Sequence, residues 1–296
     1  MSRHLGQDVA MQAISVRGLT KSYPDKNQGS RCAVDHLDLD VMTGEIFAIL
    51  GPNGAGKTTT VEILEGYRTR DSGEVSVLGQ DPGALPRGDR SWRSRIGIVL
   101  QSTMDAADLS VRETISHFSH YYPNPRKVDE VISAVGLTEK SAAKVRTLSG
   151  GQRRRLDVAL GIIGQPEILF LDEPTTGFDP EARRSFWELI RELKSSGTTI
   201  LLTTHYLDEA EALADRVAVI ANGKLIEVAT PSTLGGRHTS QVRLSWLENN
   251  SENELFTDNP TSEVARLSSK FGGEIPGLTV TRPTLEDIYL SMIGHS

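Results

Sequence analysis

Gly51-Pro52-Asn53-Gly54-Ala55-Gly56-Lys57-Thr58 follows the apolar run Ile46-Phe47-Ala48-Ile49-Leu50 and leads into a helical run at residues 61–64. Apolar residues in a short run bounded by a glycine turn have the length of a buried strand, so the octapeptide joins a strand to a helix. Its glycines let successive backbone N–H groups converge on one point, and the start of the next helix adds a dipole that favours an anion there. Lys57 reaches the outer phosphates of a nucleotide, and the Thr58 hydroxyl offers a hard oxygen to Mg²⁺. This is the P-loop pattern in its proper context, strand before and helix after. It marks Gly51, Asn53, Gly54, Ala55, Gly56, Lys57, Thr58 and Thr59 as candidate nucleotide contacts.

Outward from this loop, short apolar runs recur at residues 96–100, 168–171, 199–203 and 217–220, several of them followed by helical periodicity. Such runs belong to a buried, largely parallel sheet with crossover helices. Nearer the N-terminus, Leu37, Leu39 and Val41 alternate with Asp38 and Asp40, which predicts an antiparallel edge subsheet with one wet face. Asn222-Gly223 predicts a hairpin into Leu225, Ile226 and Val228 that closes the first domain. Between residues 110 and 145 the strands stop; Val111, Ile115 and Phe118, then Val128, Val131, Ile132 and Val135, recur at helical spacing. Residues 180–196 form another helix, with Phe186, Leu189, Ile190 and Leu193 on one face and Gly197 as its stop. Gly235-Gly236 then breaks the pattern, followed by weak strands such as 242–247, a polar stretch at 249–253 and a final helix from Thr284. The expected fold class is α/β: a P-loop NTPase core with an antiparallel β subdomain and a helical insert (about 102–160), plus a small C-terminal α+β domain. Residues 1–11 read as an extension, 12–235 as the nucleotide-binding domain and 236–296 as the accessory domain.

Two further stretches carry chemistry. Ile168-Leu169-Phe170-Leu171-Asp172-Glu173 is an apolar strand ending in two carboxylates, at the sheet edge where open α/β folds hold ligands. Adjacent acids repel, so a cation belongs beside them: Asp172 suits the Mg²⁺ shell and Glu173 suits orienting and deprotonating an attacking water. Leu148-Ser149-Gly150-Gly151-Gln152 opens an amphipathic helix, with Ser149 and Gln152 at capping-box spacing. A bare cap needs no glycine pair; Gly150 and Gly151 expose backbone donors and make a second phosphate cradle. Two cradles and one P-loop imply a composite site. Arg153, Arg154 and Arg155 oppose the dipole of that helix, and two readings stand: a solvated face paired with acids, or a role near phosphate.

Composition excludes several classes. The 296 residues carry 32 basic and 39 acidic side chains, a net charge of −7, which argues against a general nucleic-acid binder. The single cysteine, Cys32, rules out an intrachain disulfide or a cysteine-based zinc site, and a reducing compartment is expected. No run approaches the roughly 18 apolar residues of a membrane span, and residues 1–11 lack the apolar core of a signal peptide.

A P-loop, the pentapeptide from Leu148 to Gln152 and the Asp172-Glu173 strand, in this order, resemble the ATP-binding cassette (ABC) ATPases over about residues 12–235. The resemblance implies further roles, residue by residue. Tyr23 matches the aromatic that stacks on adenine, Gln101 the Q-loop glutamine and metal neighbour, Asp179 the D-loop aspartate and His205 the switch histidine. Phe178 departs from the pattern, standing where a leucine commonly precedes the D-loop aspartate. The implied catalytic set is Glu173, His205 and Gln101; the metal set is Thr58, Gln101 and Asp172; Ser149, Gly150, Gly151, Gln152 and Asp179 act on nucleotide across a dimer. ATP and Mg²⁺ are the implied cofactors.

Within that family, translation factors carry paired cassettes and repair proteins insert long heptads, whereas here only about 45 residues separate Gln101 from Leu148. Transport is the leading class. It implies a second ATP-binding subunit, a homodimer, and a separate transmembrane permease contacted through the helical insert, with this protein peripheral on the cytoplasmic side of the membrane and no nucleic-acid partner. Pro283-Thr284-Leu285-Glu286-Asp287-Ile288-Tyr289-Leu290 and the small domain before it resemble the bacterial drug- and antibiotic-export branch. The same segment also reads as an amphipathic helix, Leu285, Ile288, Tyr289 and Met292 on one face, packed on its own domain, on the cassette or on a second subunit. A soluble regulatory nucleotide switch acting on a protein partner is the alternative function.

Overall fold

In the computed structural model, which describes residues 11–25, 29–86, 89–99, 108–249 and 251–294, two long strands open the chain: β1 (Gln12–Asp25) and β2 (Gly29–Met42). The fully apolar β3 (Ile46–Leu50) follows, then α1 (Lys57–Leu64), β4 (Ser72–Val77) and β5 (Ile96–Val99). The helical insert comprises α2 (Val111–Ser119), α3 (Val128–Ala134) and α4 (Gly150–Ile162). The core resumes with β6 (Ile168–Asp172), α5 (Pro180–Ser195), β7 (Thr199–Thr204), α6 (Leu207–Leu213), β8 (Arg216–Ala221) and β9 (Lys224–Ala229). Beyond it lie β10 (Val242–Glu248), β11 (Ser251–Thr257), α7 (Pro260–Phe271), β12 (Thr279–Thr281) and α8 (Leu285–Gly294).

The central sheet runs β5-β6-β7-β3-β8-β9, parallel except for β9, and a second sheet, β2-β1-β4, is antiparallel. Side chains alternate across the central sheet. Ile46, Ala48 and Leu50 join one hydrophobic cluster with the helices of the insert and α5; Phe47 and Ile49 join a second with β1, β2 and β4. A strand buried on both faces must be apolar throughout, which is why β3 reads as a continuous run while β2 alternates. Asn222 and Gly223 both have positive φ (50° and 80°), the geometry a tight hairpin between β8 and β9 demands.

The tail adds one element and decides one open reading, that of the terminal helix, in favour of packing on the cassette. First, its strands are joined by a helix that the sequence reading did not single out: α7 starts with Pro260 at its first turn and stops at Gly272, φ 72°. Leu267 on α7 packs with Val242, Leu244, Trp246 and Ile275 in a cluster of its own, and part of the polar stretch at 249–253 begins β11. Second, α8 leaves that cluster and returns to the cassette, where Leu285 is 1 % exposed and Tyr289, Met292 and Ile293 pack alongside. Gly235 is the seat of α8 as well as a break in the pattern. A Cβ there would stand 2.4 Å from Ile288 Cγ2, and its φ of 57° suits glycine alone among close-packing residues. Arg237 straps the junction, donating to Pro283 O at 3.0 Å and to Glu211 Oε1 of α6 at 2.8 Å.

Candidate active site

Strand order builds the site. β6, β7 and β3 are neighbours, with Asp172 beside Thr203 and Thr204 beside Leu50. The residues that follow each strand, Glu173, His205 and Gly51, therefore emerge together at the C-terminal edge of the sheet, where such folds bind ligands. His205 Nδ1 and Glu173 Oε1 lie 3.3 Å apart.

Thr203 sets both carboxylates. Its hydroxyl donates to Asp172 Oδ1 at 2.5 Å and lies 3.2 Å from the Glu173 N–H, which also donates to Thr203 O at 3.1 Å. Those bonds hold Glu173 at φ 43°, a left-handed conformation that a non-glycine residue adopts at a cost of about 1 kcal/mol. The Thr176 hydroxyl donates to Glu173 Oε2 at 3.4 Å.

The P-loop closes around Gly56, whose φ of 105° and 2.2 Å spacing from a built Cβ to Ala33 O leave no room for a side chain. Lys57 is buried, and its Nζ donates to Gly51 O at 2.7 Å and Pro52 O at 3.2 Å. Burial lowers the Lys57 pKa; the charges of Glu173 and Asp172 oppose that shift. A cavity of about 460 Å³ opens over the loop, lined by Asn53, Gly54, Gly56, Lys57, Thr58 and Thr59, with Tyr23 and Glu173 on its walls. Gly51 and Ala55 lie behind this lining, Gly51 as an acceptor for Lys57 and Ala55 in the core. The Tyr23 hydroxyl is 3.5 Å from Thr59 Oγ1, and the Arg68 guanidinium stands 5.3 Å from its ring centroid, a cation–π distance.

Arg31 also lines this cavity, donating to Gly54 O at 3.3 Å, and the sequence reading passed over it. The signal lay in the register: Tyr23 pairs with Arg31 across the β1–β2 ladder, so both side chains leave the same face.

Ser149, Gly150, Gly151 and Gln152 lie outside this cavity. Ser149 and Gln152 form a reciprocal capping box, at 3.1 and 3.3 Å, on α4. Beside them, Asp179 Oδ1 accepts from Ala182 N at 2.9 Å and caps α5; a Cβ built on Gly151 would meet the Ala182 Cβ at 3.6 Å. Two helix starts therefore face outward together. Phe178, the departure before Asp179, packs edge-on against Phe186 at 5.7 Å between ring centroids. Gln101 lies outside the described residues.

The arginine run is not a solvated face, although Arg154 does pair with an acid, its Nη1 lying 4.0 Å from Asp157 Oδ2. Arg154 is buried and donates to Asp172 O at 2.7 Å and Pro174 O at 3.1 Å; Arg155 donates to Val135 O and Ser185 Oγ, and Arg153 to Val145 O. The cations satisfy backbone carbonyls of neighbouring segments, which offsets their unfavourable place in the helix dipole.

A second, larger cavity of about 880 Å³ lies between the insert and the core, with Ile98, Phe118, Tyr122 and Leu160 on its apolar walls and Glu65 among its polar groups. Burial, with Asp172 and Glu62 nearby, pushes the Glu65 pKa up to about 8. No helix of the described residues is long and apolar enough to cross a membrane.

Comparison with known proteins agrees with this geometry. The family model described as ABC transporter matches residues 34–176. The daunorubicin resistance ATP-binding protein DrrA3 of Streptomyces coeruleorubidus is 36 % identical, over 97 % of this chain and 97 % of the relative. The Nod factor export ATP-binding protein I of Rhizobium sp. (strain N33) is 41 % identical, over 96 % and 97 %. Among solved structures, cbiO1 from Clostridium perfringens, part of the ABC transporter complex cbiONQ, superposes with a TM-score of 0.68 at 27 % identity, covering 75 % of this chain and 89 % of that one. The dimeric bacterial ABC transporter cassette MJ0796 shares the fold, with a TM-score of 0.66 at 22 % identity over 73 % and 98 %. The chain belongs to the ABC transporter family, as an ATP-binding protein related to those named for drug resistance and Nod factor export.

Proposed function

We propose that this protein is the ATP-hydrolysing subunit of an exporter, supplying the work while a separate membrane-spanning partner forms the path. The observation that carries the reading is the meeting of Glu173 and His205, 3.3 Å apart, on the sheet edge that also bears the P-loop. In this reading the loop amides and Lys57 hold the outer phosphates, Tyr23 takes the adenine, Glu173 orients and deprotonates the attacking water, and His205 steadies the same reacting group. Thr58, which lines the cavity, and Asp172, the residue before the cavity-lining Glu173, are hard oxygen donors and fit Mg²⁺; Gln101 completes the set by resemblance. The ion supplies charge neutralisation on the phosphates when bound.

The outward-facing Ser149–Gln152 and Asp179 support a homodimer in which each Leu148–Gln152 pentapeptide meets the nucleotide on the other copy's P-loop. The cavity between insert and core supports a docking place for the permease, at the cytoplasmic face of the membrane. The relatives' names support a drug, antibiotic or other small lipophilic cargo.

The test is steady-state ATPase with Mg²⁺ or EDTA, beside ATP binding by calorimetry. Lys57→Ala should weaken ATP binding by about two orders of magnitude, the worth of a charge-assisted contact. Glu173→Gln should bind ATP and lose turnover. Hydrolysis by Glu173→Gln at the wild-type rate would overturn the assignment of the base. For the transport half, co-expression with a candidate six-span protein should raise the ATPase rate and drive ATP-dependent efflux from inverted vesicles; neither effect with any membrane partner tried would sink it.

A further inference from the structure

Glu209 is fully buried in α6, and nothing in the nucleotide reading uses it. A buried carboxyl has to be hydrogen-bonded, so its partners reveal what it holds. Oε1 accepts from Thr175 Oγ1 at 2.8 Å and from Trp187 Nε1 at 3.3 Å, and the Thr204 hydroxyl interacts with the same carboxyl group. Each partner belongs to a different functional segment. Thr175, itself fully buried, lies two residues after Glu173; Trp187 lies on α5, the helix that Asp179 caps; Thr204 immediately precedes His205.

The Thr204 hydroxyl also accepts the Tyr206 N–H at 3.0 Å, so it closes the turn that carries His205, and α6, which bears Glu209, begins directly after that turn. On the other side, Thr176, next to Thr175, donates to Glu173 Oε2. Burial raises the Glu209 pKa; the hydrogen bonds and the Arg183 charge oppose it.

We propose that Glu209 is a positioning residue for hydrolysis, one buried carboxyl that fixes the segments bearing Glu173, Asp179 and His205 in a single relative arrangement. The proposal rests on the reading of Glu173 and His205 as the hydrolytic pair. Glu209 touches no nucleotide: neither it nor Thr175, Trp187 and Thr204 line the 460 Å³ cavity. Its loss should therefore move turnover and spare binding, because small misplacement of reacting groups is costly in rate while the P-loop stays intact.

The experiment uses the full-length chain and measures kcat, KM for ATP and calorimetric ATP affinity. Glu209→Ala should lower kcat about tenfold or more, with KM and affinity within about twofold. Glu209→Gln keeps an oxygen for Thr175 and Trp187 and should recover kcat to within about threefold of wild type. Thr175→Val, which cuts one link, should fall between, and Thr175→Ser should restore it. If Glu209→Ala fails to fold, the Thr175 pair decides. A folded Glu209→Ala or Thr175→Val with wild-type kcat overturns the proposal, as does a parallel fall in kcat and affinity, or a Glu209→Gln as slow as Glu209→Ala. Glu173→Gln in the same series separates the two failures. If it is inert while folded Glu209→Ala runs at the wild-type rate, only the positioning role is lost; if Glu173→Gln itself turns over normally, the underlying site is wrong.

Discussion

Glu65 shows what a single residue can hide from its sequence. It caps the C-terminus of α1, the residue is 8 % exposed, and burial with two acids nearby pushes its pKa up to about 8. The unfolded chain releases that proton near its ordinary value of 4.5, so between 4.5 and about 8 the native state binds the extra proton and stability falls as pH rises. Above that window the loss levels off. Glu65→Gln removes the loss, so its melting temperature should gain on wild type as pH climbs from about 5 to about 8.5, at roughly 1.4 kcal/mol per pH unit at most. Parallel melting curves at every pH would refute this. Residue type and spacing singled out Lys57 and Glu173, each in a segment that follows a strand, and the family resemblance singled out His205, which the structure brings to within 3.3 Å of Glu173. Arg31, Thr203 and Glu209 were not legible. Their roles depend on cross-strand register and burial, which no local pattern of residue types encodes.

At the scale of elements, α4 carries the sharpest test of local reading. The Ser-x-x-Gln spacing announced its cap, and both bonds of the box are present. Ser149→Ala should cost about 1 kcal/mol of stability, read as a shift in the denaturation midpoint, and Ser149→Thr should recover most of it. An unchanged midpoint would mean the box contributes nothing to the fold. The same helix resisted a full reading, since its three arginines reach carbonyls of Val145 and Val135 in the insert and of Asp172 and Pro174 at the end of β6, partners set by tertiary contact. The parallel strands were legible from continuous apolarity. α7 was legible and was passed over: Val264, Leu267 and Phe271 recur at helical spacing behind Pro260, and all three pack in one cluster.

For the molecule as a whole, the sequence divided the chain at Gly235, yet the last helix shares the cassette core. Leu285→Ala should therefore destabilise the nucleotide-binding part by about 2–4 kcal/mol, even though no residue of α8 lines the nucleotide cavity. A chain ending near Leu234 should bind ATP with little change in affinity, because the cavity-lining residues all precede it, but unfold at a lower temperature. Equal melting temperatures for truncated and intact protein would contradict the packing of α8. The homodimer proposal has its own whole-molecule readout. Glu173→Gln should sediment as a dimer with ATP and as a monomer with ADP, and an identical profile with both nucleotides would exclude nucleotide as the bridge.

The return of α8 has a further consequence for how the chain tolerates being broken. The strands β10 and β11 and helix α7 form an excursion whose two ends are both fastened to one wall, Leu234 upstream and Leu285 downstream lying in the same cluster. A protease cut at Gly272-Gly273 would release nothing. The shorter fragment would stay in place through β12 against β10 and α8 against α6, and the two pieces would elute as one particle until a denaturant parted them.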